Sequence, residues 1–197
     1  MQMTKTLVLA SSSPRRKELL TTLGIPFSIA VSDVDETTPL QFSPTEIVET
    51  LALRKAAKIA GEMKEGLILG SDTIVVLDDQ VLGKPQDEVD AFRMLSMLQG
   101  REHTVYSGVA IIDAQTNQQK VASSSTKVMI RSLTSEEINA YIKTKEPMDK
   151  AGSYAIQGIG STIVEGIEGD YFTVVGLPLK LTAQLLKHFG IDVLAST

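Results

Sequence analysis

Residues 7–17 have the sequence LVLASSSPRRK, an apolar run followed by three serines, a proline and three cations. The run Leu7–Ala10 predicts a buried β-strand, and the serines after it predict a loop. Pro14 at the first helical position, with leucines at helical spacing behind it, predicts a helix that is capped by Ser13 and ends at Gly24. The N-terminal part of the chain is therefore predicted to be a strand–loop–helix unit.

The charges at the start of this helix are unusual. A helix N-terminus carries partial positive charge and favours acidic side chains, yet Arg15, Arg16 and Lys17 all lie in the first turn. Each cation at this end costs about 0.3–1 kcal/mol. A phosphate-like anion on the serine hydroxyls, the backbone N–H groups and the guanidinium groups would offset that cost. The alternative is that the three side chains point into solvent.

The composition limits the classes of protein that fit. A chain of 197 residues with 43% hydrophobic residues can form one large domain or two small lobes around a substantial core. The net charge of −5 argues against binding along a nucleic-acid backbone, which needs a basic face. With no cysteine and only two histidines, disulfides and thiolate sites are excluded, and a multi-histidine zinc site is disfavoured. No segment resembles a signal peptide or a membrane span, so we expect a soluble, cytoplasmic protein that does not bind membranes.

Strands and helices alternate along the rest of the chain. Helices are predicted over residues 44–62, 88–100, 134–144 and 178–189. Strands are predicted over residues 27–31, 67–70, 74–78, 104–112, 120–130 and 172–175. Turns at Asp78-Asp79 and Gln115–Gln119 predict hairpins. The predicted fold class is therefore α/β, with a mixed, elongated sheet flanked by helices rather than a purely parallel one.

Lys55 is the second unusual cation. On the helix that begins at Pro44, Lys55 falls near the middle of the apolar arc formed by Ile47, Val48, Leu51, Ala52, Ala56 and Ile59. An inward-facing cation costs free energy unless it is paired. Either the side chain extends along the helix to reach water, or it meets an anion in a cleft.

Acidic and amide side chains complete the set of candidate residues. Asp72 follows an apolar strand, where a carboxylate can hold a divalent metal or orient a water, although it can also simply form a turn. Glu36 could complete a metal site or belong to a solvated acidic run. Lys84 is either a phosphate ligand or a solvated loop lysine. Gln157 could bind the edge of a base or cap a turn.

Together these residues favour chemistry on nucleotide phosphates. Cations matched to phosphates, with acidic residues for Mg²⁺ or Mn²⁺, are the groups that phosphoryl chemistry uses. The chain has neither the Gly-x4-Gly-Lys-Ser/Thr pattern of P-loop proteins nor Gly-x-Gly-x-x-Gly after a strand. A P-loop ATPase and a dinucleotide-binding fold are therefore not indicated.

The order of six motifs carries a specific resemblance. They are Ala10–Arg16, Val34–Glu36, Leu51–Ala56, Gly70–Thr73, Gly83–Pro85 and Val175–Pro178. In sequence and spacing they resemble the Maf family of nucleoside triphosphate pyrophosphatases, also called septum formation inhibitor proteins. The resemblance extends from Leu7 to Ile191.

The resemblance implies a Maf/ITPase-like fold, a single domain over residues 1–197 with two lobes around a central cleft, and a homodimer. It implies hydrolysis of a nucleoside triphosphate to the monophosphate and diphosphate, by attack of water between the α- and β-phosphates. Asp72 matches the catalytic base or metal-organising carboxylate, and Glu36 matches a carboxylate near the divalent metal. The positions around the phosphates are matched by Ser11, Ser13, Arg15, Arg16, Lys55 and Lys84.

The resemblance also implies a substrate. Arg15, Thr73 and Gln157 are similar to the specificity positions of the dTTP/UTP branch, whereas the 7-methyl-GTP branch has Trp, Gln and Glu there. Modified pyrimidine nucleotides are a further possible substrate of that branch. Two alternatives stay open: a non-catalytic, nucleotide-binding regulator of septum formation, and a purine pyrophosphatase acting on ITP or XTP.

Overall fold

A computed structural model of the chain describes residues 5–195. Its strands are β1 (Leu7–Leu9), β2 (Phe27–Ile29), β3 (Leu67–Leu77), β4 (Gln80–Leu82), β5 (Glu102–Asp113), β6 (Gln119–Ile130) and β7 (Val164–Glu168). Its α-helices are α1 (Pro14–Thr21), α2 (Pro44–Ala60), α3 (Glu88–Leu98), α4 (Ser135–Lys143), α5 (Tyr171–Val175) and α6 (Leu179–His188). Short 3₁₀ helices span Glu146–Asp149, Ala151–Ser153 and Gly158–Thr162. Among residues 5–195, every helix is too short or too polar to cross a membrane.

The strands form a mixed sheet, which confirms the predicted fold class. In the described part of the chain it has seven strands in the order β2-β1-β3-β5-β6-β7, with β4 paired to β3. Strand β1 runs parallel to both of its neighbours, with Leu7 opposite Phe27 on one side and Leu67 on the other. The β3–β4 and β6–β7 pairs are antiparallel. Parallel neighbours need a crossover connection, whereas a tight hairpin is enough for the antiparallel β3–β4 pair.

Local sequence signals place most helix ends correctly. Ser13 caps α1, and capping boxes open α2 at Ser43 and α4 at Thr134. Helix α1 ends at Thr21, three residues before the predicted stop at Gly24. The predicted turn at Asp78 and Asp79 is confirmed, because both have positive φ (48° and 63°) in the β3–β4 hairpin.

Three sequence predictions are wrong or incomplete. The two short strands expected around Ser71-Asp72-Thr73 are one continuous strand, β3. Residues 171–175 form helix α5 instead of a strand, because the Asp170 carboxylate accepts hydrogen bonds from the N–H and hydroxyl groups of Thr173. Strand β7 lies inside the glycine-rich stretch, where no strand was predicted.

The described chain divides into two compact units. The first comprises the chain up to Asp72, Ser107–Ser124 and the chain from Gly176 onward; the second comprises Thr73–Tyr106 and Ser125–Val175. The core of the first unit is formed by Val8, Ala10, Ala52, Ala56, Ile59, Ala60, Ile68, Ala110 and Ile112. In the second unit, α3 and α4 contribute Ala91, Leu95, Leu98, Ile138, Tyr141 and Ile142 to the core.

Two glycines allow α2 to lie directly on the sheet of the first unit. A Cβ at Gly70 on β3 would overlap the carbonyl oxygen of Ala52 and lie 2.8 Å from the amide nitrogen of Ala56. A Cβ at Gly108 on β5 would overlap the carbonyl oxygen of Val48. The helix backbone therefore sits closer to these strands than any side chain would permit.

Replacing Gly108 with alanine is expected to lower the free energy of unfolding by about 1–3 kcal/mol, the usual cost of overpacking a core. The added methyl group meets helix backbone, which cannot rotate away as a side chain can. Urea denaturation measures the effect. The matched control is Gly61→Ala at the end of α2, where the nearest atom is at an ordinary 3.5 Å. Equal midpoints for the two variants would show that α2 has room to move.

Candidate functional site

The loop between β1 and α1 is held by its own serines. The Ser13 N–H donates to the Ser11 hydroxyl oxygen at 3.1 Å, and the Ser13 hydroxyl accepts from the Arg16 N–H at 3.4 Å. Ser11 is buried, whereas Ser13 is half-exposed. No acidic residue lies in the first turn of α1, as the sequence indicated. No acidic side chain in that turn therefore offsets the partial positive charge of the helix end or the charges of the cations beside it.

Arg16 is fixed in place by the chain that precedes α6. Its Nε donates to the Gly176 carbonyl oxygen at 2.9 Å, and the Ser71 hydroxyl donates to the same oxygen at 3.1 Å. Burial is the main reason that the pKa of the Arg16 guanidinium lies below its ordinary value. The charge of Arg15 acts in the same direction, while the charges of Asp72 and Glu36 oppose it. A guanidinium stays protonated at neutral pH even so, and Arg16 is a fixed positive charge beside two carboxylates.

Lys55 joins the two carboxylates into one cluster. Its Nζ lies 2.5 Å from Asp72 Oδ1 and 2.7 Å from Glu36 Oε1. The side chains of Lys55 and Asp72 are only 11% and 10% exposed, whereas that of Glu36 is 60% exposed. These contacts support the anionic-partner interpretation of Lys55 over extension to solvent. The anions seen here are carboxylates of the chain itself, and the three side chains are called the Lys55 cluster below.

Asp72 occupies a different setting from the one expected. It lies in the interior of β3 rather than at a strand end, and the residue is buried. A carboxylate inside a strand is costly unless it is paired, and Lys55 supplies that pairing. The turn-forming alternative for Asp72 is therefore wrong.

Glu36 is positioned by Arg54, a residue that the sequence interpretation overlooked. Arg54 on α2 donates through Nη1 to the carbonyl oxygens of Asp35 at 3.0 Å and Thr37 at 2.6 Å. The Asp35 carboxylate accepts from the N–H and hydroxyl groups of Thr37, which closes the loop. Arg54 holds the segment on both sides of Glu36. Its position next to Lys55 was the only feature of the sequence that pointed to this role.

Arg15 is half-buried in the first turn of α1, and three further predicted residues belong to the second unit. Thr73 is half-buried on β3, Lys84 is exposed after β4, and Gln157 is half-exposed before a 3₁₀ helix. The Gly152 N–H donates to the Gly83 carbonyl oxygen at 3.0 Å, which ties the loop of Lys84 to the segment that leads to Gln157. The Gln157 side chain makes no capping hydrogen bond to the helix that follows it, so the capping interpretation is not supported.

The residues of the first unit form an arrangement suited to anions and hard cations. Arg16 and Lys55 provide N–H donors, and Asp72 and Glu36 provide carboxylate oxygens beside them. Among residues 5–195, no group of three or more His, Cys, Asp or Glu side chains is placed to hold a metal ion. The two carboxylates of the Lys55 cluster suit the type of site in which one or two carboxylates and substrate phosphates share a magnesium ion.

Comparison with known proteins places the chain in a family. The family model described as Maf-like protein matches residues 6–189. Over 190 residues the chain is 52% identical to the dTTP/UTP pyrophosphatase of Pelotomaculum thermopropionicum, which covers 96% of this chain and 100% of that protein. It is 52% identical to the dTTP/UTP pyrophosphatase of Moorella thermoacetica, covering 95% of this chain and 96% of that one. It is 50% identical to the dTTP/UTP pyrophosphatase of Bacillus cereus, in a match that covers 96% of this chain and 92% of that protein. Because these matches span nearly the whole chain, the protein belongs to the Maf-like family.

Proposed function

We propose that this chain is a nucleoside triphosphate pyrophosphatase that hydrolyses dTTP and UTP to the monophosphate and diphosphate. The observation that carries the proposal is the shared name of relatives that are 50–52% identical to the chain over at least 95% of its length. The geometry of the first unit supports the same chemistry, because it combines fixed cations with a buried carboxylate.

The phosphates are proposed to bind at the start of α1. Ser11, Ser13, Arg15 and Arg16 are the candidate ligands there, with Lys55 from α2 and Lys84 from the second unit. Arg16 is held by the Gly176 carbonyl through Nε, so its position is set before any substrate arrives. Cations that are fixed in this way neutralise developing phosphate charge without reorganising.

Asp72 is the proposed catalytic base. Its carboxylate can accept a proton from the water that attacks between the α- and β-phosphates. Lys55 has three N–H donors, and Asp72 and Glu36 occupy two of them. The third can contact a phosphate oxygen, which would bring the phosphate next to the base.

Asp72→Asn is expected to lower kcat by about 10²–10⁴-fold, the usual contribution of a general base. Nucleotide binding should be largely retained, because an amide keeps the size of the side chain but accepts no proton. Diphosphate release coupled to inorganic pyrophosphatase measures kcat, and calorimetry measures binding. Asp192→Asn, which changes a carboxylate paired with Lys187 in the same unit, is the control and should stay at wild-type activity. Retention of more than about a tenth of activity in Asp72→Asn would contradict the assignment.

A divalent cation fits the same carboxylates. Asp72 and Glu36 would hold Mg²⁺ or Mn²⁺ together with phosphate oxygens, since the chain has no soft thiolate ligand. When bound, such an ion would polarise phosphate oxygens and neutralise their charge. Lys55 contacts Oδ1 of Asp72 and Oε1 of Glu36, so the ion would take the second oxygen of each carboxylate.

Activity is expected to require Mg²⁺ or Mn²⁺, because the cations of the chain must otherwise balance the whole triphosphate charge. Diphosphate release should stop in excess EDTA and return when Mg²⁺ exceeds the chelator. The melting temperature without nucleotide should not change with EDTA, since two carboxylates do not make a structural metal site. Full turnover in EDTA, with negligible metal verified by elemental analysis, would remove the metal from the mechanism.

Base selection is proposed to involve Gln157, with Thr73 and Arg15. An amide offers one donor and one acceptor to the O4 and N3–H edge of uracil or thymine, and cytosine presents the opposite pattern. Leaving such groups unpaired against the wrong base costs about 1–3 kcal/mol each. Modified pyrimidines with the same edge are possible substrates too.

A nucleotide panel is expected to show higher kcat/KM for dTTP and UTP than for CTP, ATP, GTP, ITP and XTP. Gln157→Glu should reduce the UTP-to-CTP ratio more than it weakens phosphate binding. An unchanged ratio in that variant would remove Gln157 from base recognition.

Preference for ITP or XTP would favour the purine alternative, and binding without turnover would favour the non-catalytic regulator of septum formation. The homodimer and the cytoplasmic location stay part of this proposal.

A further inference from the structure

The Glu146 carboxylate in the second unit collects three hydrogen bonds. It accepts from the Tyr141 hydroxyl at 2.9 Å, from the Ile159 N–H at 3.0 Å and from the Gly160 N–H at 2.7 Å. The side chain is half-buried at the start of a 3₁₀ helix. Two of the three donors are backbone groups that lie 13 and 14 residues further along the chain. Glu146 therefore anchors the segment that follows Gln157.

Tyr141 anchors the segment before Gln157. Its hydroxyl donates to Glu146 and accepts from the Ala155 N–H at 3.1 Å. The tyrosine is buried, with 4% exposure, and belongs to the core of the second unit. The Tyr141–Glu146 pair thus holds residues on both sides of Gln157, which is at the centre of the loop between Ala155 and Gly160.

The loop is packed closely against this pair. A Cβ at Gly160 would lie 2.5 Å from the Tyr141 hydroxyl oxygen, and one at Gly158 would overlap a carboxylate oxygen of Glu146. At both positions after Gln157, glycine therefore lets the backbone lie directly against the pair, where a side chain would clash.

The protonation states favour this arrangement at neutral pH. Burial raises the pKa of the Tyr141 hydroxyl, so it keeps its proton and donates it. Burial alone would raise the pKa of Glu146, but the N–H groups of Gly160 and Ile159 and the Tyr141 hydroxyl outweigh it and lower the pKa. The carboxylate is therefore ionised, and its hydrogen bonds are charge-assisted.

We propose that Tyr141 and Glu146 are positioning residues for base selection, which hold the Ala155–Gly160 loop so that the Gln157 amide presents one fixed edge to the pyrimidine. This inference rests on the proposed function, in which Gln157 contacts the base. A base edge is distinguished only by donors and acceptors held in a narrow range of positions. With only one of the two anchors, the backbone of Gln157 would vary in position, and its amide could reach either pattern of donors and acceptors.

The test compares kcat/KM for UTP and CTP in wild type, Glu146→Gln and Tyr141→Phe. The amide introduced by Glu146→Gln would set an NH₂ group against a backbone N–H, and Tyr141→Phe removes the hydroxyl that bonds Ala155. We expect the UTP-to-CTP ratio to fall at least about tenfold in Glu146→Gln, which corresponds to the loss of one hydrogen bond to the base, and to fall in Tyr141→Phe. Faster hydrogen exchange at the amides of Ile159 and Gly160 in Glu146→Gln should accompany the change.

The matched control is Glu137→Gln in the same unit. Glu137 also accepts a backbone N–H, from Thr134 at 2.9 Å, and pairs with Arg131, but it holds the start of α4 rather than the loop. This variant should lose stability and keep the wild-type ratio. It separates a general loss of stability from a loss of positioning.

The outcomes test the proposed function and the positioning role of Tyr141 and Glu146 separately. A wild-type enzyme without preference for UTP over CTP would overturn the proposed function, and the positioning role with it. A wild-type preference that Glu146→Gln retains nearly unchanged would overturn the positioning role alone, as would equal losses on both nucleotides. If Glu146→Gln does not fold, the ratio in Tyr141→Phe decides by the same criteria.

Discussion

The ion pair between Lys55 and Asp72 is the contact on which the site depends. Each side chain is about nine-tenths buried, and each would be strongly destabilising without the other. Glu36 adds a second negative charge to the ammonium, and the guanidinium of Arg16 acts on both carboxylates from the start of α1. The result is a compact group of two positive and two negative side chains inside the first unit. Well-packed apolar residues of the same volume would often be at least as stable, so stability alone does not account for these four charges.

The approach of α2 to the sheet makes that pair possible. Gly70 and Gly108 let the helix backbone contact the strands directly, so the Lys55 side chain starts close to β3, where Asp72 lies. The neighbouring Arg54 then holds the loop of Glu36 through backbone carbonyl groups. One helix therefore supplies both the central cation of the cluster and the residue that positions its more exposed carboxylate.

The second unit uses hydrogen bonds in place of ion pairs to hold its candidate residues. The Tyr141–Glu146 pair fixes the loop around Gln157. Tyr154, just before that loop, is buried and bonded to His103 Nε2 at 2.7 Å. Burial lowers the pKa of His103 to about 4, so the imidazole is neutral at physiological pH and acts as a core residue. The hydrogen bonds from the Tyr141–Glu146 pair to the loop span 13 and 14 residues, and the His103–Tyr154 bond spans 51. None of them has a local sequence signature.

The sequence by itself determined the features that depend on neighbouring residues. Ser13, Ser43 and Thr134 mark helix starts because a cap bonds within its own first turn, and the inward face of Lys55 follows from helical periodicity. Only the tertiary structure decided which groups meet. Ser71-Asp72-Thr73 resembles a loop in sequence, yet it continues β3 because Lys55 and the Gly176 carbonyl satisfy the side chains of Asp72 and Ser71. Arg16 and Gly176 are 160 residues apart, and Glu146 and Gly160 are 14 apart. Such pairings arise from packing, since a buried donor or acceptor is stable only where the whole fold brings it a partner.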